Sequence, residues 1–187
     1  MKKFFDSVDQ DILLKILLFR IKDITTLNLL KEIIFSFNAV GGYKIGMPIG
    51  NLTSQIFANI YLNELDRFVK HKLGAKVYLR YGDDFIIVEN DLEKLKLFRA
   101  RTVDFLSSEL KLTVNPKSDK ILKPSQGLRF LGIKFWSYGR NLNKRSFMRA
   151  QTRLNSSNLS SYSGLIKQHC NKKAEKYFSW LVYEKLL

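Results

Sequence analysis

The sequence predicts an α+β fold: a mixed body followed by a positively charged helical appendage. Three observations carry this. Val77–Tyr81 and Phe85–Val88 are short runs rich in β-branched and aromatic residues on either side of Gly82-Asp83, the pattern of a β-hairpin with acids at its tip. Leu92, Leu95, Phe98, Val103, Leu106 and Leu110 recur at helical spacing. Charge is unevenly spread: residues 1–110 hold 16 Lys+Arg against 14 Asp+Glu, whereas residues 111–187 hold 16 against 3.

Composition narrows the function classes. Hydrophobic residues at 45% and aromatics at 13% describe a globular chain and exclude a disordered tail. No apolar run approaches a bilayer span, and Lys2-Lys3 leads into Phe-Phe-Asp-Ser without a cleavage site, so neither a membrane anchor nor a signal peptide is expected. A lone Cys170 cannot close an internal disulfide, which favours a reducing, cytoplasmic setting. The net charge of +15 calls for a polyanion partner, nucleic acid before any other.

In chain order, Met1–Val8 reads as a strand end, and Ser7 or Asp9 caps a helix over Ile12–Phe19. A second helix is expected over Thr25–Phe37, a break at Gly41-Gly42 and a short extended segment at Tyr43–Ile45. The loop from Gly46 to Gln55 holds two glycines and a proline and runs into an apolar helix from Ile56 to about Leu73. Such a loop lets backbone approach a ligand and offers free N–H groups to a phosphate, or it is simply a loop and cap. After the hairpin come a helix ending near Lys111, a strand at Leu112–Val114 closed by Asn115-Pro116, and a strand over Leu128–Trp136 that turns at Tyr138-Gly139 into a partner. From Lys144 onward two or three basic helices are expected, broken near Asn155–Asn158 and Gly164.

Asp83-Asp84 carries the chemistry. Adjacent carboxylates repel, and a hard cation such as Mg²⁺ relieves that by taking oxygen ligands and bringing phosphates with it. The plain alternative is a polar hairpin turn.

Three blocks stand in fixed order: Gly-x-Pro-x-Gly-x-x-x-Ser-Gln ahead of a helix, Tyr-x-Asp-Asp on a hairpin, and Leu-x-Phe-Leu-Gly on a later strand. Together with the Phe-Phe-x-Ser-Val-Asp opening and the Asn-Pro-Lys turn, they resemble the palm of reverse transcriptases, the RNA-directed DNA polymerases. Ile49-Gly50-Asn51-Leu52-Thr53-Ser54-Gln55 is similar to the variant of diversity-generating retroelements, whereas retron and group II intron enzymes usually carry Gln-Gly and a final Ser-Pro there. The resemblance implies a right-hand polymerase palm over residues 1–140, a split β-α-β antiparallel sheet with helices on one face, and a basic helical thumb over 141–187.

It also implies roles. Asp83 and Asp84 are the catalytic, metal-holding carboxylates of a two-metal Mg²⁺ site, and Tyr81 and Phe85 anchor their hairpin. Phe5 lies beneath the sugar of an incoming nucleotide and excludes a 2′-hydroxyl, or is a core residue. Ile49, Gly50 and Gln55 floor the nucleotide pocket, and an apolar Ile49 suits error-prone copying. Lys117 stands near the leaving pyrophosphate, or is a solvated turn lysine. Phe130, Leu131 and Gly132 form the primer grip. Implied partners are an RNA template, a DNA or RNA primer, dNTPs and a basic accessory protein, in a bacterial or phage-borne element.

One departure stands out. Relatives carry a third metal-binding aspartate just ahead of the Lys-Lys-Phe-Phe block, a place that here falls before Met1. The resemblance therefore implies an N-terminally truncated enzyme without its fingers segment, inactive as an isolated chain. The alternatives are a non-catalytic nucleic-acid-binding remnant of the same fold, or a retron, group II intron or phage-defence reverse transcriptase.

Overall fold

The computed structural model describes residues 1–37, 44–48, 50 and 52–186. Gly41, Gly42, Tyr43 and Ile49, singled out above, lie outside the described residues. The chain divides into two compact units, Met1–Lys120 and Ile121–Leu187.

The first unit is mostly helical: α1 (Phe4–Ser7), α2 (Gln10–Arg20), α3 (Ile24–Phe35), α4 (Leu52–Arg67) and α5 (Leu92–Ser108), with a hairpin of β1 (Val77–Tyr81) and β2 (Asp84–Val88) between α4 and α5. Aspartates start three of the helices. Asp9 accepts from the Ile12 amide at 3.0 Å, Asp23 from Thr26 at 2.6 Å, and Asp91 from Glu93 and Lys94 at 2.8 and 3.2 Å, each satisfying donors that a helix start leaves free. α4 is the central element. Phe57, Ala58, Tyr61, Leu62 and Leu65 are all buried in one core with Leu13 and Leu17 of α2 and Phe98 and Leu106 of α5. The Tyr61 hydroxyl donates to the Leu110 carbonyl at 2.8 Å, and burial pushes its pKa far up.

Two expected strands of this unit are absent as strands. Phe4–Ser7 is a helical turn, and the buried residues in and just after it, Phe4 and Val8, stand four apart and not two. Leu112–Val114 alternates in burial, but the Leu112 amide donates back to the Leu106 carbonyl at 2.8 Å and the Lys2 amide donates to Thr113 at 2.9 Å, with no strand ladder among the described residues. The single palm sheet expected from the sequence is accordingly two small antiparallel sheets, β1-β2 and β3-β4-β5.

The second unit opens with a turn at Pro124–Gln126, then β3 (Leu128–Phe130), β4 (Ile133–Trp136) and β5 (Gly139–Leu142), and ends in α6 (Lys144–Thr152), α7 (Leu159–His169) and α8 (Lys172–Leu186). The strand expected over Leu128–Trp136 is a hairpin. Leu131 and Gly132 both take positive φ, 50° and 79°, between the paired Phe130 and Ile133, which fits a type I′ turn. Leu142, Ala150, Leu154, Ile166 and Phe178 form a separate core, with Ile133 packed on it. The three-stranded sheet thus belongs with the C-terminal helices, and the units part at Lys120, ahead of the boundary at 140 read from the sequence. Residues 121–187 hold 13 Lys+Arg and 2 Asp+Glu.

Gly164 does not break α7; it sits inside it, exposed, with open space where a Cβ would stand. Gly164→Ala is therefore expected to stabilise the second unit by about 0.5–1 kcal/mol, read as a raised melting temperature; a lowered one contradicts the helical placement.

Asp9 gives a pH prediction. Partial burial opposes ionisation, but hydrogen bonds from Lys111 Nζ at 2.6 Å and the Ile12 amide hold its carboxyl below the usual range. A carboxylate with a lowered folded pKa contributes fully above its unfolded value of about 3.9, and the contribution is lost as pH falls through the folded value. Asp9→Ala should cost about 1 kcal/mol at neutral pH, and the gap to the parent in urea melts should close below about pH 4.

Candidate active site

The hairpin is built as its sequence requires. Gly82 takes φ 58° at the first turn position and Asp83 fills the second, so that Tyr81 pairs with Asp84 across the turn. Tyr78, Phe85 and Ile87 face the core, while Val77, Leu79, Tyr81 and Val88 are exposed. Phe85 is an anchor as expected. Tyr81 is not, because period-2 alternation turns it outward, and the second anchor is Tyr78.

What fixes the tip is Arg80, a residue the motif reading passed over. Its Nε and Nη2 donate to the two oxygens of Asp66 on α4 at 2.7 and 2.6 Å, and Nη1 donates to Asn59 Oδ1 at 3.3 Å and to the Gly82 carbonyl at 3.0 Å. The Tyr78 hydroxyl adds a donor to Asp66 at 2.7 Å. This arrangement raises the Arg80 pKa through the Asp66 hydrogen bonds, and burial together with the Asp66 acceptor raises that of Tyr78. A forked guanidinium matches a carboxylate in plane, so the helix and the turn are held by one side chain.

Asp83 and Asp84 stand side by side at this tip, Asp83 partly buried and Asp84 exposed. The Met1 nitrogen lies 3.3 Å from Asp83 Oδ2 and 3.2 Å from its carbonyl. Lys2 then donates to Thr113, so residues 1–2 run between the hairpin tip and the 112–114 segment. Among the described residues no group of three His, Cys, Asp or Glu gathers to hold a metal ion. The two aspartates suit a hard cation in donor type but are two of the oxygens such a cation needs.

The other expected site residues are placed as follows. Phe5 is half-buried beside the buried Phe4, and its carbonyl accepts from Met47 at 2.7 Å, which seats Gly46–Pro48 against it. Gly50 is exposed with φ 91°. Gln55 is exposed on the first turn of α4, one turn before Asn59, and so shares the helix face that Asn59 links to Arg80 and the Gly82 turn. Lys117 is exposed just past Pro116, and its amide donates to Asn115 Oδ1 at 3.1 Å in an Asx turn. Phe130, Leu131 and Gly132 lie at the β3–β4 turn of the second unit.

A reverse transcriptase (RNA-dependent DNA polymerase) family profile matches residues 1–135. The chain belongs to that family. Among individual relatives, it is similar to protein YkfC of Escherichia coli strain K12, 27% identical over 168 residues, 71% of this chain and 44% of that protein. It is also similar to an uncharacterized 91 kDa protein in a cob intron of Schizosaccharomyces pombe, 26% identical over 203 residues, 75% of this chain and 25% of that protein. The chain spans less than half the length of either relative. Among the described residues of this reverse transcriptase chain, no helix is long and apolar enough to cross a membrane.

Replacing Arg80 tests the clamp. Arg80→Ala is expected to cost about 2–3 kcal/mol of stability by stranding Asp66 and the turn carbonyl. Arg80→Lys should recover only part, because an ammonium cannot match the fork. Urea unfolding curves that superimpose on the parent's would refute the role.

Proposed function

We propose that this chain supplies the palm, residues 1–140, and a basic thumb, residues 141–187, of an RNA-directed DNA polymerase that adds dNTPs to a primer 3′ end on an RNA template. The observation that carries this is the Asp83-Asp84 pair at a hairpin tip clamped to α4 by Arg80 and Asp66, within a chain of the family. Asp83, with Asp84 as neighbour, is assigned to hold Mg²⁺. Bound there, the metal supplies activation of the primer hydroxyl and neutralisation of triphosphate charge.

The chain's own part is placement. Phe5, whose carbonyl holds Met47, is assigned to the nucleotide sugar, and Ile49, Gly50 and Gln55 to the pocket floor. Lys117 is assigned to the leaving pyrophosphate, where an ammonium stabilises charge or donates a proton. Phe130, Leu131 and Gly132 are assigned to grip the primer end. The basic helices of the second unit are assigned to track the phosphates of template and primer.

Within the family, the Ile49–Gln55 segment supports the diversity-generating type, with a basic accessory protein as partner. The similarity to a protein in a cob intron supports the intron-borne type as a second reading. A non-catalytic nucleic-acid-binding role of the same fold is a further reading, and the basic second unit, 13 Lys+Arg against 2 Asp+Glu, supports it.

Primer extension on poly(rA)–oligo(dT) decides among these. The 187-residue chain is expected to incorporate no dNTP, because two carboxylates do not complete the site; robust incorporation refutes that. A fusion that adds an upstream family segment ending in aspartate directly ahead of Met1 places a third carboxylate beside Asp83. It is expected to gain activity, and Asp83→Asn should remove at least about a hundredfold of it. A fusion that stays inactive while binding RNA favours the non-catalytic role.

A further inference from the structure

α8 turns an unusual face to solvent. Phe178 and Val182 pack in the second core and Leu181 is buried on the same side, as an amphipathic helix requires. The opposite stripe, where polar residues belong, carries Tyr177, Trp180 and Tyr183, which are 47%, 54% and 68% exposed. Lys173 and Lys176 stand on the same side, one turn before Tyr177 and Trp180 respectively. Tyr177 and Trp180 already stack, with centroids 6.0 Å apart and ring planes 27° from parallel.

Three large aromatics in a row on an exposed helix face are not scattered surface residues; a contiguous patch of this kind marks a binding surface. Its surroundings identify the occupant. The unit carries 13 basic and 2 acidic residues, which repels a basic partner and attracts a polyanion. Aromatic rings beside lysines are how proteins hold unpaired bases, each base stacking on a ring while the ammonium groups meet the phosphates. A duplex keeps its bases paired and stacked inside and has no use for the rings. The half-buried Trp136 differs in that Lys134 lies over its ring, 4.7 Å from the centre.

We propose that the Tyr177–Trp180–Tyr183 stripe of α8 is a stacking platform for single-stranded RNA, distinct from any grip on a paired template and primer. This rests on the nucleic-acid reading above and adds to it the strand state that α8 recognises.

The test uses the full chain with Trp136→Phe, which leaves Trp180 as the sole tryptophan. Titration with a U20 RNA should quench Trp180 fluorescence, and titration with a 20-base-pair RNA–DNA hybrid should leave it nearly unchanged. Trp180→Ala and Tyr177→Ala should each weaken U20 binding at least fivefold and alter hybrid binding by less than twofold, with circular dichroism melts checking the fold. Trp180→Phe keeps an aromatic face and should retain most of the affinity. Lys173→Ala with Lys176→Ala should weaken U20 binding and reduce its salt dependence. Equal losses on U20 and hybrid, an unchanged U20 affinity, or a self-association that Trp180→Ala dissolves would each overturn the platform. Loss of the platform with hybrid binding intact leaves the polymerase reading standing; no binding to either RNA removes both.

Discussion

The first unit depends on the ion pair between Arg80 and Asp66. A two-stranded hairpin is marginal by itself in water and needs a surface to pack on. Here the surface is α4, and Tyr78, Phe85 and Ile87 supply the apolar contact. Apolar contact alone allows sliding. The bidentate pair adds direction, since two short hydrogen bonds fix the strand both along and across the helix. Arg80 then spends its remaining donors on Asn59 and the Gly82 carbonyl, so the turn bearing Asp83 inherits the position of α4. Because α4 is the most buried helix of the unit, the acids are referenced to the least mobile part of the core.

The same core brings residues 1–8 close to the acids. Phe4 and Val8 are buried in the core that α4 shares, and Met47 and Gly46 donate to the carbonyls of Phe5 and Val8 at 2.7 Å. Residues 1–8 are therefore held from both sides, which brings the Met1 nitrogen to Asp83.

Much of this was legible in the chain. The hairpin follows from β-branched and aromatic runs about Gly-Asp, the start of the first long helix from Asp9, and the change in charge from simple counting. The rest depends on distance in sequence. Arg80 and Asp66 are fourteen residues apart and neither belongs to a motif, so nothing local marks them as partners. Leu131 reads as one more apolar strand residue, and only the positive φ it shares with Gly132 shows the turn. In α8, aromatics occur on both faces at helical spacing, and composition cannot tell Phe178, which is buried, from Trp180, which is not.

The uneven charge has a physical consequence for how such a chain meets nucleic acid. Acids that hold a cation and a surface that attracts phosphates oppose one another, since each weakens the field the other needs. Residues 1–110 stay near balance, 16 basic against 14 acidic, and several of those bases are used internally, as Arg80 on Asp66, Arg99 on Asp119 and Lys94 on Glu89. The second unit holds few acids, so most of its Lys and Arg have no carboxylate to pair with inside the unit. Attraction for a polyanion is thereby concentrated in residues 121–187, where it falls with salt through counterion release. The hairpin that would do chemistry is built on hydrogen bonds and packing that salt barely touches.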